Sequence, residues 1–250
     1  MQNKFHSSRS RIRWAEENIA EFKRQSSAFF ARVPYARVVE LDDDGIYELH
    51  KIRVTEKLPD SLDRHSVQTL EHLRSALDMA AYAVGLGAGV ATDAIHFPFC
   101  RGATDIKGRL NSACKDFPDE IKTLFANFQP YSGGDDLLWA LNELCNPSKH
   151  RFITPHIFVK AAMTTRYAVT AGESFISLRW DGDKNEMVIG GVKPGCQFNY
   201  NFDITFDVAF DEVEVVKSQP VSGILDALLS KVKGIVDATE AEGNRIGLAF

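Results

Sequence analysis

Residues 198–210 constrain this chain more than any other stretch. Phe198, Tyr200, Phe202, Ile204, Phe206, Val208 and Phe210 alternate without a miss against Asn199, Asn201, Asp203, Thr205, Asp207, Ala209 and Asp211. A period of two puts one set on each face of a strand. A long, half-buried strand is therefore predicted, and an all-helical fold is excluded. The acidic face of that strand is expected to be solvated. Side chains two apart lie about 6.6 Å from one another, too spread to chelate a cation unaided.

Elsewhere the period is helical. Ile12, Ala15, Ile19, Phe22, Ser26, Phe29 and Val33 form one stripe over about 25 residues, which Pro34 ends. A second helix is predicted from Asp60 or Ser61 to about Leu86. Val67, Leu70, Leu73, Leu77, Ala80 or Ala81, and Val84 face inward, and Gly85-Leu86-Gly87-Ala88-Gly89 breaks it. That G-x-G-x-G follows a helix, not a strand, which is the wrong geometry for cradling a phosphate. Between these helices, 36–41 and 46–54 flank Asp42-Asp43-Asp44-Gly45 and predict a hairpin. The alternating ligands and closing Glu of a calcium loop are missing there.

Residues 90–116 read as mostly loop. A helix follows over about 118–128 and closes at Gln129-Pro130-Tyr131. The next opens with Asp135-Asp136, acidic residues suited to a helix N-terminus, and turns Leu137, Leu138, Leu141, Leu144 and Cys145 inward. From about Tyr167 strands dominate, with 174–180 and 186–189 around Asp181-Gly182-Asp183. After Pro220 an amphipathic helix carries Val221, Ile224, Leu225, Leu228, Val232, Ile235 and Val236 on one face. The expected class is α+β: a helical bundle core with an inserted β-hairpin, then a small antiparallel β-rich part and a C-terminal amphipathic helix. The expected domains are 1–165 (hairpin at about 36–54) and 166–250, with both parts able to pack as one domain.

The chain has 250 residues and a formal net charge of -5, but the charge is uneven. Residues 1–37 carry Lys4, Arg9, Arg11, Arg13, Lys23, Arg24, Arg32 and Arg37 against Glu16, Glu17 and Glu21, about +5 in all. Arg9, Arg11 and Arg13 are the part of this arm best placed to meet phosphates; a solvated helix face is the plainer expectation. The four cysteines, Cys100, Cys114, Cys145 and Cys196, are too widely spaced for a structural zinc site and read as reduced, buried thiols. No stretch is long and apolar enough for a membrane span or a signal peptide, so a cytoplasmic location is expected.

The polar constellation is Asn142-Glu143-Leu144-Cys145-Asn146-Pro147-Ser148-Lys149-His150-Arg151. Pro147 suggests a break, with Asn146 as the N-cap of a new turn. Lys149, His150 and Arg151 would then project from its opening. Arg74 and Asp78 are four apart on the second helix, spaced for an ion pair. In one interpretation Arg74, Asp78, Asn142, Asn146 and His150 form a structural polar network tying helices together. In another, His150 or His156 is a general acid/base, with Arg151 and Lys149 binding a phosphate. In a third, Lys149, His150 and Arg151 hold an anionic small ligand, with Arg74 a further candidate for anion or phosphate binding.

Arg74-Ser75-Ala76-Leu77-Asp78, Phe97-Pro98, Gln129-Pro130-Tyr131 and Asn146-x-x-Lys149-His150-Arg151 resemble the R-S-A-L-D, F-P-I, Q-P-Y and N-x-x-K-H-R motifs of a bacterial protein family with no assigned activity. The resemblance covers about 65–155 and implies a helical core with these motifs facing each other. Ser148 stands where that family has an acidic residue. Arg151-Phe152-Ile153-Thr154-Pro155-His156 is more distantly similar to the R-x4–6-H motif of HEPN domains, helical bundles that often cleave RNA as dimers. That resemblance implies catalytic Arg151 with His156, and His150 stays beside it as the other candidate histidine.

The expected function is thus a binding or interaction protein whose Arg74/Asp78/Asn146/His150/Arg151 cluster is mainly structural. The alternative is a HEPN-like, metal-independent ribonuclease. No cofactor or metal is expected, no partner is identified, and a homodimer and RNA remain open.

Overall fold

The computed structural model describes residues 4–90, 93–146, 156–169, 173–210 and 213–250, with backbone alone for 160–169 and 200–204. The chain opens with α1 (His6–Ala31), β1 (Tyr35–Leu41), β2 (Glu48–Val54) and α2 (Asp60–Ala88). Then come α3 (Ile106–Ala113), α4 (Asp119–Asn127) and α5 (Asp136–Cys145). The last part holds β3 (His156–Val169), β4 (Ser174–Asp181), β5 (Glu186–Val192), β6 (Phe198–Ala209) and α6 (Val221–Arg245), with a 3-10 turn at Glu214–Val216. The class is α+β, as the two periodicities require.

Contacts divide the chain into two compact units: Met1–Lys23, Asp63–Thr154 and Phe210–Phe250 form the first, Arg24–Leu62 and Pro155–Ala209 the second. The units interleave along the sequence and do not follow one cut at about residue 165. Two local findings explain why. β3 begins at His156, so 156–165 is strand and not part of a helical core. The hairpin β1–β2 pairs through β2 with β5, which makes it half of a sheet in the order β1-β2-β5-β4.

The first unit is helical. Ile12, Ala15, Ile19 and Phe22 of α1 are buried as their spacing requires. On α2 the buried face is broad and includes Leu70, Leu73, Ala76, Leu77, Ala80, Ala81 and Val84. The glycine run does not break this helix. α2 continues through Gly85 and Gly87 to Ala88 and ends at Gly89, whose φ of +73° only glycine adopts without strain. A Cβ on Gly87 would come within 2.7 Å of the Phe250 ring, so that glycine serves close packing. The seven apolar positions expected on α6 are all buried. α3, expected as loop, is an eight-residue helix that buries only Leu110 and Ala113.

The second unit is two antiparallel layers. β3 and β6 form a ribbon with His156 opposite Ala209 and Val169 opposite Phe198. Ile157, Phe198 and Phe206 from the ribbon meet Ile52, Ile189 and Val192 from the four-stranded sheet and Phe29 from the end of α1. Val33, expected on the α1 stripe, is instead exposed with φ 56°. Pro34 bars helical backbone for the residue before it, and the chain turns there at the cost of strain in a β-branched residue. The Asp42–Gly45 turn is held by Asp42 Oδ1, which accepts from the backbone N–H groups of Ile46 (2.7 Å) and Tyr47 (3.1 Å).

Candidate functional site

Arg74 and Asp78 sit one turn apart on α2, at the edge of its buried face. Arg74 Nη1 lies 2.5 Å from Asp78 Oδ2, off the axis of a hydrogen bond. Asp78 Oδ1 accepts the Phe97 backbone N–H at 2.9 Å. One carboxylate thus neutralises an arginine and ties down the loop after α2. The Arg74 guanidinium also lies over the Phe99 ring, 4.3 Å from its centroid, and its Nε donates a long 3.4 Å hydrogen bond to Asn142 Oδ1 on α5. Asn142 Nδ2 donates to Glu143 Oε1 at 3.3 Å, and Asn146 Nδ2 reaches the same oxygen at 3.5 Å.

Aromatic packing fixes the loop on which this network closes. Phe97 is fully buried, with its ring 5.0 Å from Phe99 and 5.3 Å from Phe125 of α4. Gln129, at φ 51°, accepts from Tyr131 (2.7 Å) and Asp135 (2.9 Å) through its carbonyl. A side chain on Gly134 would collide with the Gln129 carbonyl at 2.7 Å, so this turn needs glycine. The Pro130 carbonyl accepts from the Cys100 N–H at 3.2 Å. The turn then feeds α5, whose N-cap Asp135 accepts from Leu138 N–H at 2.9 Å and also pairs with Lys231 of α6. The segments Arg74–Asp78, Phe97–Pro98, Gln129–Tyr131 and Asn142–Asn146 therefore meet through Asp78–Phe97, Cys100–Pro130 and Arg74–Asn142.

Lys149, His150 and Arg151, with Pro147, Ser148 and Pro155, lie outside the described residues. Asn146, expected as an N-cap, is the C-cap of α5, with helical φ -70° and ψ -46° and its N–H bonded to the Asn142 and Glu143 carbonyls. An N-cap needs extended backbone, which this residue lacks. His156 stands at the start of a strand, half-buried, and not on a helix.

Part of the basic arm is paired within the first unit. Arg9 pairs with Glu240 and, at 3.0 Å, with Asp237, and the hydrogen bond it donates to Glu240 raises its pKa. Lys23 meets Asp226 at 2.6 Å, and Lys233 of α6 meets Glu16 at 2.6 Å. Arg13 donates to Ser10 Oγ at 3.3 Å. Arg9 and Lys23 of α1 are thus met by acidic residues of α6.

A second charged cluster lies in the other unit. Lys51 and Glu186, both nearly buried, pair at 2.9 Å, and Arg53 donates to Glu186 through Nε (2.9 Å) and Nη2 (2.7 Å). Glu40 closes the ladder at 2.8 Å from Arg53 and 3.2 Å from Lys51. Hydrogen bonds from Arg53 and Lys51 hold the Glu40 carboxyl down to about 2. Burial opposes the charge of Glu186, but hydrogen bonds from Lys51 and Arg53 outweigh it and lower its pKa. The only signal in the sequence was an alternation of charge and apolar residue in β2; the pairing partners were not visible.

Of the four cysteines, Cys114 and Cys145 are buried and Cys100 and Cys196 half-buried. Burial pushes the Cys114 thiol up to about 12. Among the described residues no three His, Cys, Asp or Glu side chains group as a metal site, and no helix is long and apolar enough to cross a membrane. Compared with known proteins, the chain matches no family model, no curated protein and no solved structure.

Proposed function

We propose that this chain is a binding or interaction protein in which Arg74, Asp78, Asn142 and Asn146 serve as a structural polar network and not as a reaction centre. The observation that carries this is the use of Asp78: one oxygen receives the Phe97 N–H and the other faces Arg74. Arg74 is in turn stacked on Phe99, its charge met by Asp78. Binding an anion here would first have to separate Arg74 from its own carboxylate. The network joins a helix, a loop and a second helix, which is what a packing role requires.

The test is a double-mutant cycle on Arg74→Met and Asp78→Asn, read as unfolding free energy. A structural pair gives two destabilising single variants and a double variant less destabilised than their sum. Additive effects, or single variants as stable as the parent, would remove the network as an explanation.

A further inference from the structure

His72 faces α1 from α2, beside Arg11 and Trp14. Arg11 Nη1 lies 3.1 Å from His72 Nδ1. The same guanidinium covers Trp14, with its carbon 5.2 Å from the ring centroid, and the Trp14 and His72 rings are 5.5 Å apart at 54°. A guanidinium has five donors and no acceptor. Its contact with Nδ1 therefore requires that nitrogen to carry a lone pair, which fixes His72 as neutral with its proton on Nε2. Protonation would put a second donor against the first and two cations side by side.

We infer that Arg11, Trp14 and His72 form a proton-operated latch between α1 and α2, closed while His72 is neutral and opened when it becomes imidazolium. The charged groups acting on His72 are Arg11 from α1 and Glu71 from its own helix. Burial first, and then Arg11, push the histidine below its ordinary value of 6.5, while Glu71 pulls the other way. With the folded pKa depressed, the latch is complete above 6.5 and is lost as the pH falls below it. Opening adds one positive charge to this face and removes the guanidinium from Trp14, which is already 41% exposed. The inference does not depend on the proposed function.

The experiment is a histidine NMR titration of the full chain from pH 8 to 5, with the His72 signal identified by His72→Gln. The expected result is an Nε2–H tautomer at pH 8 and a midpoint below 6.5. In a chain carrying Trp139→Phe and Trp180→Phe, Trp14 emission should change with the same midpoint. Arg11→Met should raise the His72 midpoint. An Nδ1–H tautomer, a midpoint at or above 6.5, or a midpoint unmoved by Arg11→Met would overturn the latch. The tautomer is read on the parent chain and needs no variant to fold.

Discussion

Replacing Asp78 with alanine removes an acceptor and a charge at once, and the two losses can be separated. The Phe97 N–H donates to Asp78 Oδ1 at 2.9 Å, and Phe97 is fully buried, so the donor loses a charged partner. A hydrogen bond to a charged group contributes about 1.5–3 kcal/mol. The pair with Arg74 lies four residues apart, with side chains 20% and 31% exposed, and adds about 0.3–0.5 kcal/mol. Alanine returns about 0.5 kcal/mol of helix propensity. The net expectation for Asp78→Ala is a loss of about 2 kcal/mol. Asp78→Asn keeps an oxygen for Phe97 and forfeits the charge, so its loss should be about 1 kcal/mol. Urea unfolding followed by far-UV circular dichroism measures both. Equal losses from Asn and Ala, or a loss below about 0.5 kcal/mol for Ala, would refute the idea that Asp78 holds the loop through Phe97.

Three further outcomes follow from the charged ladder and the cysteines. Glu186→Ala removes the buried carboxylate from nearly buried Lys51, leaving Glu40 at 3.2 Å to meet it, and should cost about 3 kcal/mol in urea unfolding, while Glu186→Leu combined with Lys51→Met should recover much of that loss. The folded pKa values of Glu40 and Glu186 are lowered, so the stability they confer is present above their ordinary value of 4.5 and is lost as the pH falls below it, for Glu40 toward about 2. Unfolding free energies at pH 7, 5, 4 and 3 should therefore decline, and Glu40→Gln should flatten the decline; an unchanged slope would count against the ladder. Burial holds the Cys114 thiol near 12, so a disulfide reagent at pH 8 should label half-buried Cys100 and Cys196 well before Cys114 in the folded chain.

What the sequence revealed depended on how local the physics was. The alternation of 198–210 and the stripe of α6 are written within one element, so β6 and the buried face of α6 are where periodicity puts them. Arg74 and Asp78 were legible for the same reason, because four residues along a helix is one turn. Their partner was not, since the Phe97 N–H is a backbone donor that any residue but proline supplies. The Lys51–Glu186 pair spans 135 residues and exists only through the register of β2 against β5. Gly85, Gly87 and Gly89 read as a breaker by propensity, but at Gly87 close packing against Phe250 overrides a cost of about 1 kcal/mol. α3 escaped notice because Gly108 and two buried positions in eight residues leave no stripe to find.

The most direct test of the account is cleavage of a labelled single-stranded RNA in EDTA by the full chain. The account predicts no cleavage above a protein-free control, with Arg151→Ala, His150→Ala and His156→Ala indistinguishable from the parent. Cleavage by the parent that any of those three substitutions abolishes, with folding intact, would contradict it.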